Sequence, residues 1–433
     1  MIAATPAKPT RARYGVLALL FVTVVINYLD RSNLSVAATD LARDLRFDSV
    51  QLGLIFSAFG WSYAFLQIPG GWLVDRFRPR VLYATICLLW SAATVLQGFA
   101  GGFLLLFGLR LLLGAFEAPA FPICNRVVTK WFPDRERAGA IASYTSGQFV
   151  GLAFLTPLLV MAQTHWGWHA VFFLTGGIGI VWAGLWYLWY RDPTDSRWIN
   201  PAELNYIRAG DGLVEEGTKA PAGQAGFAWA DLKLVLGRRK LWGIYIGQFA
   251  VNSTLWFFLT WFPTYLVKYR GFDFIKAGFM ASVPFLAAFC GVLSSGFLSD
   301  FMIRRGVTPT VARKVPIISG LLLSTSIIGA NYVDDPKLVV MFMAIAFFGN
   351  GFSSITWVLV SSLAPRRLLG LTGGVFNFIG NLASITVPIV IGLLVRGNNF
   401  APALLYVGGL ALLGALSYLF IVGNVERVEE SQK

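Results

Sequence analysis

Apolar runs of roughly twenty residues, separated by short polar turns, recur along nearly all of this 433-residue chain. A helix rises about 1.5 Å per residue, so about 20 apolar residues cover the hydrocarbon core of a bilayer. Twelve runs fit, at 15–38, 50–74, 81–100, 102–125, 138–163, 168–190, 241–267, 277–299, 315–332, 338–362, 368–395 and 402–423. The faintest break, Ala100-Gly101-Gly102, divides the third run from the fourth. The pattern predicts an all-α membrane protein with twelve transmembrane helices. The first run is too long for a cleaved signal peptide, lacks a clear small-residue cleavage site, and holds Asp30 and Arg31 near its far end.

Six runs precede a hydrophilic stretch with several prolines, and six follow it. The layout divides the chain into 1–190, a first six-helix bundle; 191–240, a cytoplasmic linker with a short amphipathic helix around 201–209; and 241–433, a second bundle and tail. Composition sharpens this reading. The chain is 56% hydrophobic and 13% charged, with a mean hydropathy of +0.65. Soluble domains carry about 25% charged residues, which argues against a soluble enzyme. The net charge of +13 needs no nucleic-acid partner. With the N-terminus inside, Lys and Arg concentrate on the cytoplasmic segments, so the excess sets orientation and puts both termini in the cytoplasm. Three cysteines, Cys87, Cys124 and Cys290, stand singly in separate runs without metal or redox spacing. His165 and His169 flank a Trp-bearing outer turn and make a poor metal site. The expected set of cofactors and metals is empty.

Four ionisable residues lie inside the runs: Asp30, Arg31, Arg110 and Glu117. A charge at bilayer depth costs about 2.5–3.5 kcal/mol even on lenient insertion scales, so such groups generally mark an ion or substrate path. All four fall in the first bundle. Arg110 and Glu117 are almost two helical turns apart on one face, about 10 Å along the axis, with Gly114 between them leaving space for a ligand. A guanidinium is a planar, always charged clamp for a carboxylate, and a carboxyl group can carry a proton. A structural Arg–Glu ion pair is the competing reading. Asp30 is the second candidate proton carrier; ionised it can balance Arg31, and protonated it would release Arg31 to another partner. The second bundle offers neutral groups: Ser353, Ser354, Thr356 and Trp357, then Asn377 and Asn381 one turn apart, in segments whose glycines permit unwinding. Tyr28, Tyr63 and Gln148 in the first bundle fit the same role. Hydroxyls and amides match a polyhydroxylated ligand, and each alone would serve equally as helix–helix glue. Together these residues describe a sugar acid moved with protons. No nucleophile–base pair stands out, so an enzyme is not expected.

Gly71-Trp72-Leu73-Val74-Asp75-Arg76 closes the second run, and Gly296-Phe297-Leu298-Ser299-Asp300 closes the eighth, half the chain away. This repeated Gly-x-Leu-x-Asp followed by arginines resembles the signature loop of the major facilitator superfamily, with Arg78 where the family commonly has Gly. The resemblance implies two six-helix bundles related by a pseudo-two-fold axis around a central cavity, and a bracing role in the conformational change for Gly71, Asp75, Arg76 and Asp300. The segments Asn27-Tyr28-Leu29-Asp30-Arg31-Ser32-Asn33-Leu34, Phe116-Glu117-Ala118-Pro119, Tyr144-Thr145-Ser146-Gly147-Gln148 and Thr372-Gly373-Gly374-Val375-Phe376-Asn377 are similar to the sugar-acid branch of the anion:cation symporter family. That resemblance implies proton-coupled uptake of a sugar acid, D-galactonate foremost, with another hexonate, a hexuronate or glucarate as alternatives. It implies that Asp30 and Glu117 take protons, that Arg31 pairs with Asp30, and that Arg110 serves coupling and carboxylate recognition. Tyr28, Tyr63, Gln148, Ser354, Thr356, Trp357 and Asn377 would line the substrate site. The implied partners are the sugar acid, protons and the lipid bilayer of a bacterial inner membrane, around a monomer. An exporter or antiporter, and a non-transporting sensor, are the other classes.

Overall fold

The computed structural model describes residues 9–214, 229–365, 368–397 and 399–428. The first half runs through α1 (Ala12–Asp44), α2 (Ser49–Arg76), α3 (Pro79–Gln97), α4 (Phe103–Glu117), α5 (Ala120–Trp131), α6 (Asp134–Thr145), α7 (Gly147–Trp166) and α8 (Trp168–Trp189). After α9 (Pro201–Ala209) and α10 (Trp229–Gly237) come α11 (Arg239–Thr260), α12 (Phe262–Thr264), α13 (Phe274–Arg304) and α14 (Pro309–Ser324). The chain then follows α15 (Pro336–Phe352), α16 (Thr356–Leu363), α17 (Leu369–Asn381), α18 (Ala383–Leu394) and α19 (Ala401–Leu416). Backbone polar groups in lipid must bond within their own segment, which is why helices carry every crossing.

Eleven helical stretches among the described residues are long and apolar enough to span a membrane. The run expected at 241–267 is not among them, although α11, α12 and a π-turn at Tyr265–Tyr269 occupy it. Gln248, Asn252, Ser253 and Thr254 dilute its hydropathy, and three of these four are buried within the protein.

Several crossings are interrupted near mid-length. Pro119 separates α4 from α5 directly after Glu117, because proline lacks the N–H that would continue the ladder. α15 stops at Phe352 and α16 restarts at Thr356, so the unwinding expected near Gly349 and Gly351 is present. The helix instead runs unbroken through Gly373 and Gly374, and its break falls at Leu382. Side-chain caps fix other ends: Asp48 and Gln51 form a capping box on α2, and Asp273 accepts from the amides of Ile275 and Lys276.

The expected linker is partly built structure. α9 lies where its sequence placed it, and its Asn200 cap also binds Thr10. Glu203, fully buried, accepts from the Thr10 hydroxyl at 2.6 Å and the Ala12 amide at 3.0 Å, and pairs with Arg13 at 2.7 Å. It therefore caps the start of α1 from a distant helix and straps the segment after the first half to that half's first helix. Lys130 and Asp192, both buried, pair at 2.8 Å and tie α5 to the segment after α8.

The two halves press together at the end holding Ser49 and Gly392. A methyl group on Gly53 would lie 2.5 Å from the Pro388 carbonyl oxygen, and one on Gly392 would lie 2.5 Å from that of Ser49. Gly60 similarly accommodates Ser384, and Gly278 of α13 accommodates Val160 of α7. Small residues bring α2 against α18 at backbone distance. Toward its other end α2 turns back to its own half, where a methyl on Gly70 would meet Pro119 at 3.2 Å.

A charged cluster faced by a neutral polar wall

α1, α2 and α4 meet around Arg31. Its Nε donates to Glu117 Oε2 at 2.9 Å, with Glu117 fully buried and Arg31 nearly so. Four rings surround the guanidinium: Tyr63 at 4.8 Å, Tyr28 at 4.9 Å, Phe59 at 5.0 Å and Phe121 at 5.8 Å from its carbon. Ring faces attract a desolvated cation, and guanidinium stacks on them where an ammonium would not. One Arg31 nitrogen and one Glu117 oxygen remain without a protein partner.

The expected Arg31–Asp30 pair is corrected by this geometry. Adjacent residues on a helix point about 100° apart, so when Arg31 faces α2 and α4, Asp30 turns toward α3 and α8. Its Oδ2 accepts from the Trp90 indole at 3.1 Å, and Gly179 of α8 lies alongside. Arg110, fully buried, reaches the backbone carbonyl of Asp30 at 3.5 Å. The four intramembrane charges thus form one cluster in which α1 separates the two acids. Gly114 is also corrected. A methyl there would lie 2.3 Å from the Phe59 carbonyl oxygen and 2.4 Å from Ser62 Oγ, so the missing side chain admits α2 and not a ligand.

The second half presents amides and hydroxyls. Thr356 Oγ1 donates to Gln248 Oε1 at 2.8 Å, Gln248 donates to Asn252 at 3.3 Å, and Asn381 binds Asn377. Asn377 Nδ2 crosses between halves to Gln67 Oε1 at 2.9 Å. Gln67 follows Tyr63 by one turn on α2, so one helix face carries both the Arg31 box and this bridge. Ser353 is used locally, donating to the Asn350 carbonyl. Ser354 is half-buried in the break before α16, Trp357 is half-exposed against the Phe376 ring, and Gln148 is half-buried on α7. None of these three makes a described bond to the charged cluster. Gly71 and Arg76 lie at the end of α2; the side chains of Asp75 and Asp300 lie outside the described residues.

Gln67, Gln248 and Asn252 are candidate site residues that the sequence analysis does not name. Each is an uncharged amide inside an apolar run, and Gln248 and Asn252 stand one turn apart, a signal that was present. Trp90 carried none, since an indole donor inside a membrane run looks like packing.

The Major Facilitator Superfamily family model matches residues 20–388. The chain is 57% identical over 424 residues to the D-galactonate transporter of Escherichia coli O6:H1, covering 98% of each chain. It is 44% identical over 432 residues to the probable galactarate/D-glucarate transporter of Bacillus subtilis strain 168, covering 98% of this chain and 95% of that one. Among solved structures, a bacterial homolog of the human lysosomal transporter Spinster superposes with a TM-score of 0.72 at 20% identity, covering 95% of both chains. The D-xylose-proton symporter superposes with a TM-score of 0.71 at 14% identity, covering 95% of this chain and 98% of that one. These two share the fold with this protein. Family match, long-range identity and helical architecture agree: the chain belongs to the Major Facilitator Superfamily of membrane transporters.

Proposed function

We propose that this protein takes up a sugar acid, D-galactonate first among candidates, together with protons, by alternating access across the bacterial inner membrane with both termini in the cytoplasm. The observation that carries the reading is the Arg31–Glu117 pair inside its aromatic box, opposite a wall of amides and hydroxyls. Support comes from the relative of 57% identity, named a D-galactonate transporter.

In this mechanism Glu117 and the substrate carboxylate compete for Arg31. With Glu117 ionised, the guanidinium is already neutralised. A proton on Glu117 removes that charge and leaves Arg31 for the incoming carboxylate, while the four rings hold it in place. Gln67, Asn377, Gln248 and Thr356 then match hydroxyls along the sugar chain. The tight end at Gly53, Gly60 and Gly392 is the outer gate, closed in this conformation, and the halves rock about the site. When the substrate leaves, Glu117 loses its proton and pairs with Arg31 again, which resets the carrier.

The test is D-galactonate uptake into proteoliposomes with an acidic exterior, with and without a protonophore. Accumulation that the protonophore abolishes is expected. Binding without accumulation would indicate a sensor. Galactarate serves as competitor, because relatives at about the same length are named for it.

A further inference from the structure

Asp30 is the buried acid that the Arg31 exchange does not use. Its carboxylate lies behind α1, away from Arg31 and Tyr63, in a seam where α1, α3 and α8 meet. Oδ1 of this carboxylate has no protein partner, and neither have the hydroxyls of Ser91 and Tyr83 on α3, all fully buried. The three belong to one line. Ser91 Oγ fills the hollow left by Gly179, where a methyl would meet it at 2.1 Å and Asp30 Oδ2 at 3.9 Å. One turn along α3 from Ser91, Cys87 Sγ contacts the Gly179 carbonyl at 3.4 Å, and one turn further stands Tyr83. On α1 the line continues to Thr23, which accepts from the Trp182 indole at 3.1 Å. From Asp30 to Thr23 the seam runs about 10 Å along α1.

A buried polar atom without a partner costs about 1–3 kcal/mol, and proteins answer such groups with internal water. Two unpartnered hydroxyls, of Ser91 and Tyr83, in line with an intramembrane acid whose own Oδ1 is unpartnered offer polar partners to internal water. The charged and titratable groups facing Asp30 are Glu117 and Arg110 from α4 and Cys87 from α3, with the Trp90 indole beside them; α8 faces it with Thr175 and Gly179, and Arg31 of its own helix points away.

We infer that the seam between α1, α3 and α8 is a proton path separate from the substrate cavity, connecting Asp30 through water held by Ser91 and Tyr83 toward the end of the protein that carries the chain termini. The proton leaves the Asp30 carboxyl for the first water and passes along the chain; the carboxylate left behind is balanced by Arg110. The substrate leaves on the other side of α1, so proton and sugar acid need not share an exit. This inference rests on the proton-coupled reading proposed above.

The experiment compares wild type with a Tyr83→Phe, Ser91→Ala double variant in proteoliposomes. Thr23 and Cys87, the polar neighbours of these hydroxyls, keep their contacts to the Trp182 indole and the Gly179 carbonyl when the hydroxyls are removed. Two rates are read with D-galactonate: net uptake driven by a pH gradient, and isotopic exchange at equal pH with saturating substrate on both sides. Exchange returns the loaded carrier and needs no proton release, so it also reports correct folding. Net uptake at least fivefold slower, with exchange within twofold of wild type, is expected. Both rates unchanged, or both slowed alike, would overturn the separate path and leave the symporter standing. A wild-type protein that does not accumulate D-galactonate under a pH gradient would overturn the symport reading and the path with it.

Discussion

Gln67 of the first half and Asn377 of the second are joined by a hydrogen bond of 2.9 Å, directly below the helix turn that carries Tyr63 to Arg31. The bond ties the charged half of the site to the neutral half. A net hydrogen bond contributes about 0.5–1.5 kcal/mol, which corresponds to roughly a two- to tenfold change in an equilibrium constant. Gln67→Leu and Asn377→Leu should each lower D-galactonate uptake by about that factor. The double variant should lose less than the product of the two single losses, because both singles remove this bond, although each side chain also meets the substrate in the proposed mechanism. Fully additive losses in initial uptake rates would show that the two side chains act separately.

Glu117→Gln keeps the shape of the Arg31 partner and removes its charge. The expected result is loss of accumulation under a pH gradient, by at least about tenfold, while exchange between labelled and unlabelled D-galactonate persists. Persistence follows because Arg31 remains free for the carboxylate. Proton-driven accumulation at the wild-type level would remove Glu117 from the coupling step.

Arg31→Lys should weaken D-galactonate binding by about tenfold or more, even though the charge is kept. An ammonium is compact and strongly hydrated, and it does not fill the flat space between Tyr28, Phe59, Tyr63 and Phe121. Titration calorimetry on the detergent-purified protein reads the change; equal affinity would make net charge, and not stacking geometry, the basis of recognition.

Gly53→Ala places a methyl against the Pro388 carbonyl, a backbone atom that cannot rotate away. The closed contact of α2 with α18 should then be destabilised relative to an open arrangement. Near this end Thr39, Asp48, Trp261 and Lys268 line a cavity of about 290 Å³ between the halves. A Thr39→Cys reporter should react faster with a membrane-impermeant maleimide when Gly53→Ala is added, with transport lower by about tenfold. No gain in labelling would show that the contact does not gate access.

Glu203→Ala should lower thermal stability without touching the site. It leaves Arg13 with Glu136 alone and uncaps α1, and breaking a buried ion pair outright costs about 3–5 kcal/mol, so a part of that is expected. The melting temperature in detergent should fall by several degrees while the apparent affinity for D-galactonate stays constant; an unchanged melting temperature would make the strap incidental.

The fold was largely legible because bilayer thickness translates directly into run length. α9 emerged at the residues where proline and amphipathic spacing placed it. The polar run now carried by α11 was also recognised from its boundaries, although its own hydropathy is weak. The candidate site was half legible. Charges stand out in apolar sequence, so Arg31, Arg110, Asp30 and Glu117 could be selected one by one. Amides such as Gln67 and Gln248 stand out less, since a single amide is common between helices.

Sequence by itself determined that this chain crosses a membrane many times, which segments cross, and that four charges are buried in its first half. Those are properties of composition and spacing along one dimension. Tertiary structure alone decided how the charges are paired. Arg31 took Glu117, 86 positions away in the chain, and Asp30 was sent to Trp90, because helix rotation and the close approach of α2 over Gly114 fix where each side chain points. The same approach turned an expected ligand space at Gly114 into a helix contact. Pair choice depends on packing of helices distant in the chain, and no local pattern of residues encodes it.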